Sequence, residues 1–145
     1  MSKLFELYVL GLLKDSYGAN ALYGDKEVKL KYGLPDYLIT KEGEKSIADA
    51  KYKLIYNEDG KYDIDNIRQL SAYSRDYKVF EKLAIPEDKI IDCLIIFPVP
   101  QIDNLKQEFK IDLKESRDLG TFVKFKKIGV PIPTINKDNH LNTAT

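Results

Sequence analysis

Two kinds of hydrophobic pattern alternate along the chain. Apolar side chains recur at helical spacing in residues 4–13 and 63–83, whereas shorter apolar runs of strand length lie between and after these segments. The run at 90–97 is apolar almost throughout, which is typical of a strand that is buried on both faces. The predicted order is α-β-β-β-α-β with two more strands, and it indicates an α/β fold in which helices flank a mixed central sheet.

Local signals predict the other strands and the turns. Alternation of apolar with charged side chains predicts strands, and clusters of Gly, Asn, Asp and Ser predict turns. The predicted strands are 28–32, 109–113 and 121–127, and the predicted loops and turns are 15–20, 57–60 and 116–120. The helix at 63–83 has Asp63 or Asp65 as its N-cap, and Pro86 lies beyond its end.

Two β-prone runs, 33–39 and 45–54, are predicted to form a hairpin with its turn at Gly43. A tight turn at this point places Leu38 opposite Ile47. The apolar residues in the second run indicate that its strand is largely buried on both faces.

The same register places two aspartates opposite each other. Asp36 faces Asp49, and because strand side chains alternate with a period of two, Lys51 projects on the same face as Asp49. Directly opposed like charges destabilise a sheet, and a buried carboxylate needs a partner. Two opposed carboxylates with a lysine beside them therefore predict a cation site in preference to a solvated charge cluster.

Polar residues on the two predicted helices can reach this face. Gln69 and Tyr73 are four residues apart, so they lie one above the other on one side of a helix. Residues 4–13 are apolar nearly all round, which implies burial, and Glu6 is the one acid among them. A carboxylate on a buried face is costly without a cation or a polar site, so Glu6 is expected to point toward Lys51 or a bound metal.

Together these motifs resemble the PD-(D/E)xK nuclease superfamily, in its branch with a QxxxY motif that includes RecB-type nucleases. More narrowly, they are similar to the catalytic domain of McrC, the nuclease subunit of modification-dependent McrBC restriction systems. The resemblance covers residues 4–97 and implies a restriction-endonuclease-like fold. The residues that carry it are Phe5, Glu6, Tyr8, Val9, Pro35, Asp36, the run 47–53, Gln69 and Tyr73.

The resemblance also implies magnesium-dependent hydrolysis of DNA phosphodiester bonds, with a role for each residue of the site. Asp36 and Asp49 would hold Mg²⁺, for which Mn²⁺ would substitute, and the carbonyl of Ala50 would be a further ligand. Lys51 would orient or activate the attacking water. The supporting residues would be Glu6 as an acid, and Gln69 and Tyr73 as groups that position the lysine or contact DNA.

Composition sets the size and the setting of the domain. The chain has 145 residues, of which 43% are hydrophobic and 32% charged, and this is enough for one core. We expect a nuclease domain at 1–133 and a flexible polar tail at 134–145. The apolar runs are too short to span a bilayer and no signal peptide is recognised, so we expect a cytoplasmic protein with no membrane contact.

Other chemistries find little support in the sequence. Cys93 lies in an apolar run, as expected of a buried thiol, and the single histidine, His140, lies in the polar tail. A Ser-His-Asp triad and a zinc site of His and Cys are therefore excluded. The chain has 23 basic and 23 acidic side chains, so DNA would be bound through local patches. The candidate lysines are Lys29, Lys31, Lys53, Lys124, Lys126 and Lys127.

The resemblance extends to partners and leaves alternatives open. McrC-type subunits act in antiviral restriction with a GTP-driven ring, so an AAA+ GTPase or ATPase motor is an expected partner. Met1 falls directly before the first predicted helix, as in a domain-sized fragment or a stand-alone relative. Cutting both strands needs a site for each, which a homodimer would supply. The alternatives are a RecB-like exonuclease acting on DNA ends or single strands, and a non-catalytic nucleic-acid-binding or scaffold domain.

Overall fold

Helices cover both faces of one mixed sheet in the computed structural model, which describes residues 2–28, 33–100 and 109–132. The helices of this part of the chain are α1 (Lys3–Tyr17), α2 (Gly24–Glu27), α3 (Ile64–Tyr73) and α4 (Tyr77–Leu83). The strands are β1 (Ala21–Tyr23), β2 (Tyr37–Ile39), β3 (Ser46–Ala50), β4 (Asp92–Pro100), β5 (Arg117–Asp118) and β6 (Phe125–Ile132). Short 3-10 helices lie at Gly18–Asn20, Leu54–Asn57 and Leu113–Glu115.

The described strands are ordered β1-β2-β3-β4-β6-β5 across the sheet. β1, β2 and β3 form an antiparallel meander. The crossover that contains α3 and α4 then brings β4 parallel to β3, and β6 lies parallel to β4 on its other side. β5 pairs antiparallel with β6 at the edge. The predicted α/β class with a mixed sheet between helices is confirmed, as is the parallel pairing of the strand at 90–97 with the Asp49 strand.

The predicted hairpin register is also confirmed. Leu38 pairs with Ile47, and the chain reverses in a turn in which the N–H of Glu44 donates to the carbonyl of Lys41 over 2.9 Å. Gly43 has a φ of 86°, a left-handed conformation that glycine adopts without steric cost. Every residue of β3 is buried, as predicted, although the strand ends at Ala50 rather than at residue 54.

Side-chain alternation divides the core between the two faces of the sheet. On one face Val9 and Leu13 of α1 pack in a cluster with Tyr37 and Ala48. The other cluster contains Ile47, Ile95, Leu70 of α3 and Leu83 of α4. Because Asp49 is two residues from Ile47 in the same strand, it faces the α3 and α4 side. No helix in the described ranges is long and apolar enough to cross a membrane.

The prediction of a single helix at 63–83 is wrong, because the structure has two helices with a break at residues 74–76. Asp63 is the N-cap of α3, as predicted, and the side chain of Asp76 caps α4 by accepting the N–H of Lys78 over 2.8 Å. Asp and Ser side chains bond nearby backbone groups and so favour helix ends over helix interiors. The break leaves Tyr77, which the apolar spacing places in the core, 74% exposed.

The N-terminal helix is longer and less buried than predicted. It runs to Tyr17, and Leu4 and Leu7 on its outer side are exposed. The structure has a strand at Ala21–Tyr23 that was not predicted, and α2 follows it. The strand predicted at 28–32 lies, apart from Val28, outside the described residues, as does the tail at 134–145.

The strand predicted at 109–113 is also absent from the described residues. Ile111 and Leu113 are buried in the α1 cluster, and the N–H of Leu113 donates to the hydroxyl of Tyr17 over 2.9 Å. Their alternation therefore reflects contact with a helix and not a place in the sheet. The strand predicted at 121–127 begins later, at Phe125.

Gly24 lies where α2 meets the segment that leads to Asp36. Its N–H donates to the Asp36 carbonyl over 2.8 Å, and a Cβ at this position would lie 2.0 Å from the Pro35 carbonyl oxygen. That oxygen belongs to the backbone and cannot move alone. A side chain at position 24 would therefore displace the chain immediately before the first aspartate.

We predict that Gly24→Ala lowers the free energy of unfolding by about 1–3 kcal/mol, because overpacking forces the backbone to shift. Gly11→Ala is the matched control. Gly11 is an exposed residue of α1 with nothing within 4 Å of its Cβ position, so alanine there is expected to stabilise by about 0.5–1 kcal/mol. Urea denaturation of both variants measures the two effects, and equal stabilities would contradict this account of Gly24.

Candidate active site

Asp36 and Asp49 meet where β2 and β3 separate. Asp36 immediately precedes β2, and Asp49 is the next-to-last residue of β3. The backbone N–H of Asp36 donates to Oδ1 of Asp49 over 2.8 Å, and the N–H of Ala50 donates to Oδ2 of Asp36 over 2.8 Å. Each carboxylate thus binds a backbone N–H of the other strand. The structure brings the two predicted aspartates together.

Each aspartate keeps one oxygen that is not used in this exchange. Oδ2 of Asp49 lies 3.5 Å from Nζ of Lys51, and Oδ1 of Asp36 accepts no hydrogen bond from any described residue. Asp49 is only 3% exposed, so its charge is largely removed from water. Two carboxylate oxygens are therefore available to a ligand at one point of the sheet.

Both carboxyl groups have pKa values above the usual range. Burial is the largest cause for Asp36, and the neighbouring charge of Asp49 adds to it. Burial also raises the pKa of Asp49, while the backbone N–H of Asp36 and the charge of Lys51 act against the rise. Burial removes hydration from each anion, and the charge of Asp49 further disfavours the charged form of Asp36. A bound cation would relieve both penalties.

Lys51 is held between the aspartates and α3. Its backbone N–H donates to the Ile96 carbonyl over 2.8 Å, which extends the pairing of β3 with β4 by one residue. Its Nζ donates to Oε1 of Gln69 over 3.1 Å. Tyr73 lies one helical turn after Gln69, and the pKa of its hydroxyl is raised by burial and then by the charges of Asp49 and Asp36, while Gln69 acts against the rise. The lysine is thus held by the glutamine, and the tyrosine hydroxyl lies near the two carboxylates.

Glu6 has other partners than the expected Lys51. Its carboxylate accepts hydrogen bonds from the hydroxyl of Tyr23 and from Nζ of Lys3, the latter over 3.2 Å. Tyr23 belongs to β1, a three-residue strand that no hydrophobic period marks, so this partner was missed in the sequence. Glu6 still affects the site at a distance, because its charge raises the pKa values of Asp36 and Asp49.

The residues present suit a hard divalent cation bound by few protein ligands. Within 2–28, 33–100 and 109–132, no group of three His, Cys, Asp or Glu side chains converges on a metal position. Magnesium, however, keeps several waters and is commonly bound by one or two carboxylates together with substrate phosphates. Asp36 and Asp49, with the Ala50 carbonyl at the end of β3, match that sparse set.

The predicted DNA-binding lysines are in different environments. Lys127 is buried, and its Nζ donates to the carbonyls of Tyr56 and Glu58 over 2.8 and 3.1 Å. Its charge therefore supports the chain that follows the site and is not presented to DNA. Lys53 forms an ion pair with Asp63. Lys124 and Lys126 lie at the start of β6, and Lys29 and Lys31 lie outside the described residues.

Cys93 is not a second reactive centre. It is a buried residue of β4, and burial raises the pKa of its thiol to about 12. The thiolate, which is the nucleophilic form of cysteine, is therefore scarce near neutral pH. The prediction of a buried core thiol is confirmed.

Comparison with known proteins adds no identification. No protein-family model, curated protein or solved structure matches the chain. The chemistry of the residues at the end of β3 is therefore the basis for assigning a function.

The raised pKa values predict an unusual dependence of stability on pH. The folded protein holds protons on Asp36 and Asp49 more tightly than the unfolded chain does. The stability of the metal-free protein should therefore fall as pH rises from about 4 to about 7, with a slope of at most about 1.4 kcal/mol per pH unit for each proton. Urea unfolding at a series of pH values measures the slope.

Two controls separate this effect from general acid titration. Asp49→Asn should flatten the slope, because only one of the two coupled carboxyls then remains. Mn²⁺ should stabilise the wild type more at about pH 8 than at about pH 5, since protons and metal compete for the same oxygens. A wild-type stability that rises steadily through this range would contradict the predicted protonation of the pair.

Proposed function

We propose that the chain is a magnesium-dependent deoxyribonuclease that hydrolyses phosphodiester bonds, with Mn²⁺ able to replace Mg²⁺. The observation that carries the proposal is the pair of interlocked aspartates with Lys51 beside it. Two buried carboxylates whose pKa values are raised, chiefly by burial, are costly to the fold, and such perturbed groups concentrate at functional sites.

Fold and motif order support a restriction-endonuclease-like assignment. The α-β-β-β-α-β order resembles the core of the PD-(D/E)xK superfamily, with Asp36 just before the second strand of the meander and Asp49 and Lys51 at the end of the third. Gln69 of the QxxxY motif accepts a hydrogen bond from Lys51, and the charges of Asp49 and Asp36 reach the Tyr73 hydroxyl. The McrC-like assignment, the motor partner and the homodimer belong to the same proposal and rest on the resemblance alone.

The roles of the residues follow from their contacts. Asp36, Asp49 and the Ala50 carbonyl would hold the cation, which supplies Lewis-acid polarisation of the phosphodiester when bound. Lys51 stabilises negative charge that develops on the phosphoryl group, because its ammonium lies beside the carboxylates. Gln69 fixes the position of that ammonium through its hydrogen bond. Glu6, held by Tyr23 and Lys3, acts through its charge and not through direct contact.

A non-catalytic scaffold is the weaker alternative. A domain that only binds a partner gains nothing from two buried carboxylates that repel each other, and replacing one of them would relieve the repulsion. The choice between an endonuclease and a RecB-like exonuclease depends on the surface beside Tyr73, which lies outside the cation site.

Substitutions of Asp49 and Lys51 should separate metal binding from chemistry. Asp49→Asn removes one of two anionic ligands, so Mn²⁺ affinity should fall by about tenfold or more and cleavage should be lost. Lys51→Ala removes a positive charge beside the ligands, so Mn²⁺ affinity should hold or rise while the cleavage rate falls by about 10²–10³-fold. Calorimetric titration with Mn²⁺ and a DNA cleavage assay measure the two quantities.

Lys45→Ala is a closely matched control. Lys45 lies in the same hairpin, its side chain is 17% exposed against 16% for Lys51, and it has a carboxylate at 3.5 Å, as Lys51 does. Its loss should leave both Mn²⁺ binding and cleavage unchanged. If the Asp49 and Lys51 variants are folded and behave like the Lys45 variant, the hairpin is not the active site and the scaffold becomes the better assignment.

A further inference from the structure

A cleft of about 520 Å³ opens beside the proposed active site, between the end of α3 and the start of α4. Its walls are largely apolar and include Ala72, Tyr73 and Tyr77, and Arg75 and Lys78 also line it. The break between the helices forms this cleft, because Asp76 caps α4 and starts it anew at Tyr77.

Tyr77 differs from the other exposed apolar side chains of this protein in its surroundings and not in its exposure. Scattered exposed apolar side chains are normal on protein surfaces, and this chain has several. Tyr77, however, has 74% of its surface exposed and lines a cleft together with a second tyrosine, two cations and the carboxylate of Asp76. Aromatic rings with basic neighbours are the combination that binds the bases and phosphates of single-stranded nucleic acid.

Tyr73 connects the cleft with the proposed catalytic residues. Its ring lies against Gly33, where a Cβ would come within 2.9 Å of Cε1, so glycine is needed for this approach. Gln69, one helical turn before Tyr73 on α3, accepts the Lys51 hydrogen bond. Tyr73 thus lines the cleft one turn away from the residue that holds the proposed catalytic lysine.

We propose that this cleft binds one unpaired nucleobase of a DNA strand, stacked against Tyr77, while a phosphodiester of the same strand lies at Asp36 and Asp49. The proposal rests on the nuclease function and names its substrate class. In a continuous duplex both faces of each base are covered by neighbouring bases, so only an unpaired base can stack on a protein side chain. The substrate is therefore DNA with a single-stranded end or segment.

Charge supports the same substrate. The chain has no net charge, so its affinity for DNA must come from local contacts. Arg75 and Lys78 supply two positive charges at the cleft against one negative charge, that of Asp76, whose carboxylate caps α4. Neither cation forms an ion pair with any described residue. They are placed to meet the phosphates that flank a stacked base.

Binding of fluorescent oligonucleotides to the full chain, measured by anisotropy without divalent cations, tests the cleft without cleavage. The probes are a blunt duplex, the same duplex with a single-stranded tail, and the tailed duplex with abasic sites in the tail. One stacked base contributes about 1–3 kcal/mol, so the base-bearing tail should bind about 5-fold to 150-fold more tightly than the abasic tail.

Variants test whether the preference for the base-bearing tail arises at the cleft. Tyr77→Ala should reduce binding of the base-bearing tail to that of the abasic tail, whereas Tyr77→Phe, which keeps the ring, should retain the preference. Val123→Ala is the control, because Val123 is 72% exposed and does not line the cleft. Circular dichroism of each variant confirms that it is folded.

Three results would overturn the proposal: equal binding of base-bearing and abasic tails, a preference that survives Tyr77→Ala, or no binding to any probe. The first two would make a protein side chain the better occupant of the cleft. Cleavage with Mg²⁺ is assayed separately. A base preference without any cleavage would refute the nuclease function and leave the cleft as a base-binding site, whereas cleavage without a base preference would refute only the cleft.

Discussion

The exchange of hydrogen bonds between Asp36 and the end of β3 is the interaction on which the site depends. Backbone pairing between β2 and β3 is last seen at Tyr37 and Ala48. Beyond that point the carboxylates take the place of backbone carbonyls, since the N–H groups of Asp36 and Ala50 bind side-chain oxygens. The two strands can therefore separate without leaving buried donors unpaired. That separation opens a gap lined by carboxylates while β3 remains paired with β4.

Each aspartate accepts a backbone hydrogen bond and also has a carboxyl group that can bind a proton or a cation. A carboxylate that accepts a backbone N–H is stabilised as an anion, but burial acts in the opposite direction and prevails in both residues, with the charge of Asp49 adding to it at Asp36 and that of Glu6 at both. The fold thus holds the pair in a state that favours protons or a cation. An asparagine could keep the hydrogen bond that Asp49 accepts and lose the charge, so the geometry alone does not require two acids. The proposed cation site would require both.

The sequence predicted the parts of the molecule in which one physical rule acts alone. The hairpin register depends on a period of two and on one turn at Gly43, and both could be recognised. The partner of Glu6 could not be, because Tyr23 lies in a strand too short to show alternation. At 109–113 the alternating side chains pack on α1, and period alone does not distinguish that contact from a strand.

The helix break at 74–76, which was not predicted, determines which surface of α3 and α4 is exposed. Gln69, Tyr73 and Tyr77 follow one another at intervals of four residues. In an unbroken helix they would form one stripe, and Tyr77 would lie over Tyr73. Capping by Asp76 ends that stripe and leaves Tyr77 in solvent. The ring loses the stabilisation that burial would give, and no described contact compensates for this loss. Local hydrogen bonding by a short acidic side chain outweighs the hydrophobic period here. The surface that this exposes includes Tyr73, one helical turn from Gln69, whose side chain accepts the hydrogen bond of Lys51.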